Sequence, residues 1–193
     1  SPYVNLVHTS NLDGSVPILL ITDRDSANHF GIYLTEILRA EGMNCFHTAD
    51  LSTLQPAVLE NYEVVILAET LLNAEQAEIF EGYVARGGRL VSMKPDDRLG
   101  SVFGLERGAG VLSKGYIKTE PNHPASVGVN SSTLQIHSPA NLYRLAGAEA
   151  IAWLYTDRDT ASENPAISVH KFGEGSAVAF VFDLAMSIAY MRQ

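Results

Sequence analysis

The feature that most constrains the fold is an alternation of short apolar runs with segments of helical periodicity. Residues 17–22 and 63–68 are runs made almost entirely of apolar side chains. Such runs are typical of strands that are buried on both faces of a sheet. Between them, residues 29–41 repeat apolar side chains at helical spacing, and Gly42 ends the pattern. The order predicts strand–helix–strand units with a parallel sheet.

The same pattern continues to residue 93. Residues 44–47 indicate a short second strand, and residues 89–93 a later strand introduced by two glycines. Before that strand, Asn73 suits a helix N-cap, because Gln76 follows three residues later and completes a capping box. These elements place the chain in the α/β class.

The rhythm changes after Leu99. Residues 102–105 suggest a short helix, whereas residues 115–118 and 133–137 look like isolated strands among proline, asparagine and serine. The pattern leaves the topology of 100–165 open.

Two further apolar segments lie near the end of the sequence. Residues 166–172 and 177–182 flank a glycine-containing loop over 173–176, which suits a β-hairpin. We expect this antiparallel hairpin to form an edge of the sheet.

Composition excludes several classes of partner. The formal net charge is −9, and the sequence has no run of lysine or arginine. Nucleic acids and anionic membrane surfaces both require a concentrated basic face, so neither is an expected partner. No segment approaches the roughly 18 apolar residues of a membrane-spanning helix. The one cysteine, Cys45, lies in a predicted apolar strand, where we expect a small core residue.

The ends of the sequence lead to an expectation about domain organisation. The sequence starts with Ser1 and Pro2 rather than methionine, and it stops soon after an apolar segment. We expect one domain over 1–193, with 1–15 as an N-terminal extension, taken from a longer protein.

Charged side chains follow several of the predicted strands. Asp23 and Asp25 come after the first strand, Glu69 after the third, Lys94 after the fourth and Asp183 after a late strand. Ligands gather beyond the carboxyl ends of the strands in open α/β sheets. We therefore predict that these side chains form a polar rim that binds a small polar ligand.

The rim carboxylates allow more than one interpretation. They could hold a divalent cation through their oxygens. The favoured interpretation is that they cap helix N-termini, Asp25 or Ser26 doing so for the first helix, while Lys94 neutralises them. A phosphoacceptor role is disfavoured, because Glu69 stands where an acceptor aspartate would be needed. We expect no metal site and no cofactor.

His137 is the strongest single candidate for a functional imidazole, since it follows a predicted strand and precedes Ser138-Pro139. We include it in the candidate rim. The six histidines contain no pair at helical i, i+4 spacing, so a zinc site would need long-range convergence.

Four segments together resemble a known family: 62–67, 83–91, 164–166 and 173–178. Their order resembles class I glutamine amidotransferase-like domains, in the flavodoxin-like group that includes the trimerisation domain of some β-galactosidases. Other stretches, 33–44, 134–137 and 182–193, are similar to a domain of large, uncharacterised bacterial proteins that are often exported. The resemblance implies a three-layer flavodoxin-like sheet, mostly parallel, and an extracellular location if the parent protein is exported.

Active amidotransferases of this family place a cysteine at a strand-to-helix elbow and pair it with a histidine near the chain end. Here the elbow falls at Met93 or Lys94, and the terminal third has no His-x-Glu sequence. We therefore assign no catalytic residue and expect no amidotransferase activity. The expected function is a binding or assembly module whose partner is the rest of a larger protein or a second copy. The alternative is a hydrolase that acts on a polar or carbohydrate-related substrate through the rim carboxylates and His137.

Overall fold

The computed structural model describes residues 18–43, 45–128 and 132–191. The first half of this part alternates strands with helices, as the apolar pattern predicts. Its elements are β1 (Ile18–Thr22), α1 (Phe30–Ala40), β2 (Phe46–Asp50), α2 (Pro56–Leu59), β3 (Val64–Leu67), α3 (Ala74–Ala85) and β4 (Arg89–Met93). The predicted extension over 1–15 and Asn44, the predicted start of the second strand, lie outside the described residues.

The second half is richer in strands than the sequence pattern suggests. Its elements are α4 (Gly100–Phe103), β5 (Leu105–Leu112), β6 (Gly115–Thr119), β7 (Leu134–Ile136), β8 (Ala140–Leu145), β9 (Glu149–Tyr155), β10 (Ala161–Phe172), β11 (Gly175–Phe180) and α5 (Leu184–Met191). The short helix and the isolated strands expected after Leu99 correspond to α4, β6 and β7. None of the helices in the described ranges combines the length and the apolar composition needed to cross a membrane.

Nine strands form one sheet in the order β2-β1-β3-β4-β11-β10-β9-β6-β7. The five strands from β2 to β11 are parallel, and the remaining four extend the sheet by antiparallel pairing. Strands β5 and β8 pair separately as a two-stranded antiparallel sheet. The parallel half brings the carboxyl ends of β1, β3, β4 and β11 to one rim.

The predicted hairpin forms, but it does not lie at the edge. Strands β10 and β11 pair antiparallel around the turn, as predicted. However, β11 also pairs with β4 in parallel, and β10 pairs with β9 on its other side. Both hairpin strands therefore lie inside the sheet, because the second row of backbone groups of β11 bonds to β4, which is distant in sequence, and that of β10 bonds to β9, the strand that precedes it.

Helices cover both faces of the parallel half, which gives the three layers of an α/β fold. Leu19 and Ile21 of β1 point into one apolar core, which α3 also joins. Leu20, between them, points into the other core with residues of α1 and α5. This alternation explains why the first strand is apolar on both faces. The predicted α/β, flavodoxin-like class is confirmed.

The capping box predicted for α3 is present. The Asn73 side chain accepts a hydrogen bond from the Gln76 N–H at 2.8 Å, and the Gln76 side chain accepts one from the Asn73 N–H at 3.0 Å. The prediction for Cys45 is wrong: this residue is exposed. It precedes β2, which begins at Phe46, so it does not share the strand's buried face.

Tyr83 makes the unfolding free energy of the domain decrease at alkaline pH. Its hydroxyl donates to the Tyr62 carbonyl oxygen at 2.8 Å, and burial raises its pKa to about 12 from 10.0. The folded state therefore favours the protonated phenol, and the resulting stability is lost as pH rises from about 10 through about 12. We expect Tyr83→Phe to reduce this alkaline loss of unfolding free energy, measured by chemical denaturation at a series of pH values.

The matched control is Tyr33→Phe, since Tyr33 is 51% exposed. Tyr62 and Tyr143, whose pKa values burial also raises, will keep part of the alkaline dependence in both variants. Identical pH profiles for Tyr83→Phe and the wild type would contradict the assignment to Tyr83.

Candidate functional site

Strand β4 ends in a strained turn at Lys94. This residue has a φ of 46°, and it is the one non-glycine residue with positive φ in the described part of the chain. The left-handed conformation is unfavourable for a residue with a Cβ, so it persists where neighbouring structure holds it. Here the Lys94 N–H donates to the Phe180 carbonyl oxygen at 2.6 Å. The turn coincides with the elbow expected at Met93 or Lys94.

A chain of polar contacts runs from Lys94 across the rim. The Lys94 ammonium lies 3.1 Å from Glu69 Oε1, and the lysine side chain is only 13% exposed. The Asn28 amide nitrogen donates to Glu69 Oε2 and to Asp183 Oδ2, both at 2.6 Å. These four residues follow β4, β3, β1 and β11, so the parallel sheet brings them together.

Asn28 and Asp183 also hold the helices that begin at the rim. Asn28 Oδ1 accepts from the Phe30 N–H at 2.9 Å in the first turn of α1. Asp183 Oδ1 accepts from the Met186 N–H at 2.8 Å in the first turn of α5. The capping interpretation therefore holds for Asp183. For α1 the N-cap is His29, whose side chain makes no capping hydrogen bond, and Asn28 just before it accepts from the Phe30 N–H. Neither Asp25 nor Ser26 caps this helix, and the Ser26 hydroxyl instead accepts from the Asn28 N–H.

The loop after β1 carries two more carboxylates. Asp23 Oδ2 accepts from the Thr70 hydroxyl at 2.6 Å, and Asp23 Oδ1 accepts from the Asp25 N–H at 2.9 Å. These bonds fix the loop to the end of β3. The Asp25 side chain remains exposed at the rim.

Strands β5 and β8 supply the opposite wall. The Arg107 guanidinium lies 5.7 Å from the centre of the Tyr143 ring, and the Tyr143 hydroxyl donates to the Pro95 carbonyl oxygen at 2.8 Å. Burial raises the pKa of Tyr143, which keeps this phenol a donor over the physiological range. Asn141 lies beside it and is 6% exposed.

These loops and strands enclose a cavity of about 600 Å³. Such a volume is ordinary for a small-molecule site. Asp23, Asp25, Glu69 and Lys94 line it, as the rim prediction requires of them. The lining also contains polar residues outside the predicted rim: Ser26, Asn28, Thr70, Asp96, Asp97, Arg107 and Asn141.

The other two residues of the predicted rim do not line the cavity. Asp183 is 2% exposed and reaches the cavity wall only through Asn28. His137 has an exposed side chain, although its neighbour Ser138 accepts from the Asp183 N–H at 2.9 Å. His137 follows β7, the far edge strand of the sheet, so its position at a strand end does not bring it to the rim. Ligand binding by the rim residues stays a prediction.

The carboxylates are not grouped as metal ligands. In the described ranges, no three or more His, Cys, Asp or Glu side chains are placed together to hold a metal ion. Their observed contacts are hydrogen bonds to N–H and hydroxyl groups and ion pairs with lysine and arginine. Capping is observed for Asp183, and neutralisation by Lys94 is observed for Glu69.

Comparisons with known proteins identify the fold. No family model matches the sequence, and no curated protein matches it. Solved structures do match: the β-galactosidase of Rahnella sp. R3 has 18% identity and a TM-score of 0.68, covering 89% of this chain and 29% of that one. A β-galactosidase from Bacillus circulans sp. alkalophilus has 14% identity and a TM-score of 0.64, covering 90% and 30% respectively.

Shorter proteins match over most of their own length. A ThuA-like protein from Bacteroides uniformis ATCC 8492 has 12% identity and a TM-score of 0.65, with 94% of this chain and 89% of that one covered. The present chain spans about 29% of the Rahnella β-galactosidase. At these identities the likeness concerns the fold alone. The chain shares its α/β, flavodoxin-like fold with the ThuA-like protein and with a segment of these β-galactosidases.

Proposed function

We propose that this chain is a non-catalytic amidotransferase-like domain that serves as a ligand-binding module of a larger protein. The observation that carries the proposal is Lys94. The strained turn, where active relatives of this fold need a nucleophilic thiolate, holds an ammonium group paired with Glu69 at 3.1 Å. A protonated amine so paired is not a nucleophile. Cys45 cannot substitute, because it precedes β2 and so lies at the opposite, amino end of the parallel strands.

The lining of the cavity supports ligand binding as the function of the rim. Its wall contains cations, carboxylates and neutral amides from three loops and two strands, so it can both donate and accept hydrogen bonds. The polar groups are also fixed: the Lys94–Glu69–Asn28–Asp183 contacts tie the rim to α1, α5 and β11. A rigid set of convergent polar groups favours binding because little side-chain entropy is lost when a ligand enters.

The structure gives no specific support to the alternative hydrolase function. Glu69 and Asp183 share the Asn28 amide, but Asp183 is 2% exposed and caps α5. His137 does not line the cavity. Asp23, Asp25 and Glu69 line the same cavity, and Glu69 there is paired with Lys94, so hydrolysis through these carboxylates remains an untested prediction.

The likeness to β-galactosidases supports a place within a larger protein. The matched segment is 29% of the Rahnella chain, so this fold exists there as one part of a longer polypeptide. We propose the rest of the parent protein, or a second copy, as the partner. Size-exclusion chromatography with light scattering separates the two, because only self-association makes the mass depend on concentration.

The first test is amide hydrolysis. The purified domain and Lys94→Ala are each incubated with L-glutamine, and ammonia release is measured. We expect neither protein to release ammonia above the rate without protein, since Lys94 holds the nucleophile position without activating chemistry. Ammonia release by the wild type that is lost in Lys94→Ala would overturn the non-catalytic part of the proposal.

The second test is binding at the rim. Backbone amide resonances of loops 23–28 and 94–97 are followed by NMR against a broad set of polar solutes: sugars, amino acids, nucleosides and carboxylic acids. We expect at least one solute class to shift these resonances saturably while the edge strand β7 stays unchanged. A set in which no solute shifts the two loops would overturn the binding role.

A further inference from the structure

A second cavity adjoins the rim cavity. It has a volume of about 340 Å³ and is lined by the loop after β4, helix α4 and strands β5 and β8. Four residues line both cavities: Pro95, Asp96, Asp97 and Arg107. Because the same residues border both spaces, one ligand can extend from the rim cavity into the second cavity.

The second cavity differs chemically from the first. Four of its lining residues are at most 4% exposed and present apolar or aromatic side chains: Leu99, Phe103, Leu105 and Tyr143. The rim cavity, in contrast, is lined mainly by carboxylates, cations and amides. Ligand sites typically combine apolar walls with a few polar groups. The second cavity is therefore suited to an apolar group that is attached to a polar one.

Arg107 forms the boundary between the two cavities. Its guanidinium lies 5.7 Å from the centre of the Tyr143 ring, so the tyrosine covers one side of it. Its ion-pair partner is Asp97 at 3.8 Å, and the Arg107 side chain is 40% exposed. Since Arg107 lines both cavities, its accessible part borders the space that a ligand would fill. A planar guanidinium stacks on aromatic rings, so this boundary favours a flat aromatic ring over an aliphatic chain.

The rim cavity offers hydrogen-bond donors and acceptors side by side. The Lys94 ammonium, which only donates, lies 3.1 Å from Glu69 Oε1, which accepts. A ligand hydroxyl can both donate and accept, so it can bond to either group. A ring with several hydroxyls therefore matches the rim cavity as an aromatic ring matches the second cavity.

We infer that the two cavities together bind a small molecule in which a planar aromatic ring is joined to a hydroxylated ring. The aromatic ring occupies the second cavity beside Arg107, and the hydroxylated ring occupies the rim cavity. Nucleosides and aryl glycosides share this chemistry. The inference rests on the proposed binding function and names the ligand class of the same site.

The test is an NMR titration of the domain with phenyl glucoside, glucose, adenosine and ribose. Each aromatic compound is thereby compared with the sugar that it contains. We expect at least one aromatic compound to bind about tenfold more tightly than its sugar, because it also buries a ring. It should shift the backbone amide resonances of 99–107 as well as those of 23–28, whereas its sugar should shift only 23–28. The aromatic compound that binds more tightly distinguishes a nucleoside from an aryl glycoside.

Arg107→Lys tests the boundary, because it keeps the charge and removes the planar group. It should reduce the tenfold advantage of the aromatic compound over its sugar to about threefold. The matched control is Arg144→Lys on β8. Arg144 pairs with Glu106 at 3.4 Å and lines neither cavity, so the advantage should stay at about tenfold. Both arginines are exposed, so both variants should fold, which thermal denaturation verifies.

Three results would overturn the inference: no aromatic compound that binds more tightly than its sugar, binding of the aromatic compounds without shifts in 99–107, or an equal effect of the two arginine variants. The proposed binding function is decided separately, because it requires only that some polar solute shift loops 23–28 and 94–97. Shifts of these loops by sugars alone would retain the binding module and discard the aromatic part of the ligand.

Discussion

Replacement of Asn28 by aspartate should destabilise the domain by about 3 kcal/mol at neutral pH. The two hydrogens of the Asn28 amide separate two carboxylates, because one is donated to Glu69 and the other to Asp183, each at 2.6 Å. Aspartate has the same shape and no such hydrogens. The substitution therefore places three carboxylates together, one of them 2% exposed, and leaves Lys94 as the nearby cation.

The loss of unfolding free energy in Asn28→Asp should depend on pH. Like-charge repulsion makes protonation of the carboxylate cluster more favourable in the folded variant than in its unfolded chain. The stability deficit is therefore full at neutral pH and shrinks as pH falls and these groups protonate. Urea denaturation of the wild type and the variant at neutral and acidic pH measures both effects.

Asn61→Asp is the matched control. Asn61 is exposed, and its amide donates to the Ala57 carbonyl oxygen at 2.9 Å, with no carboxylate involved. The same chemical change there should cost less than about 1 kcal/mol. Equal stability of the two variants at neutral pH would show that Asn28 does not hold the rim carboxylates apart.

The parallel half of the fold could be predicted because its information is local. The side chains of β1, β3 and β4 are buried or half-buried on both faces, apart from Arg89 at the start of β4, so each strand is a short, mostly apolar run between polar loops. Helix α3 carries its own capping box. The right-handed, parallel arrangement then follows from general rules of chain connection.

The antiparallel half could not be predicted in the same way. Strand β5 contains two glycines and several exposed residues, and it is a strand because β8 pairs with it. The pairing of β10 with β9 shifts register around Pro165. The sequence of β10 therefore lacks the regular alternation of apolar and polar residues that predicts a strand. The hairpin was predicted from its loop, but its place inside the sheet depends on pairing of β11 with β4, which is distant in sequence, and of β10 with the preceding strand β9.

The difference between local and long-range information also explains which residues of the site could be predicted. Asp23, Asp25, Glu69 and Lys94 could be predicted because charged residues directly follow recognisable strands. Asn28 lies in the same loop as the two aspartates. Because it is neutral, a search for charged residues after strands did not identify it. Arg107 and Asn141 lie on strands that were not predicted, and His137 was chosen for a strand end that lies at the other edge of the sheet.

The second large effect is expected from Gly175→Ala, at about 3 kcal/mol of destabilisation. A Cβ at Gly175 would overlap the carbonyl oxygens of Gly88 and Val84 at the end of α3. Both obstacles are backbone atoms, which cannot rotate away as a side chain can. The adjacent contact is also fixed, because the Ser176 N–H donates to the Gly88 carbonyl oxygen at 3.2 Å. Alanine must therefore push the start of β11 from β4.

Gly42→Ala is the matched control, because it shows the effects of replacing glycine without a steric clash. Gly42 has a φ of +83°, but a Cβ there would meet no atom of the described residues within 4 Å. That variant should lose about 1 kcal/mol from backbone strain alone. Both substitutions restrict the unfolded chain equally, so this contribution cancels when their unfolding free energies are compared by urea denaturation. Equal stability of Gly175→Ala and Gly42→Ala would contradict this prediction. It would show that the close approach of β11 to the end of α3 does not hold the hairpin against the parallel half of the sheet.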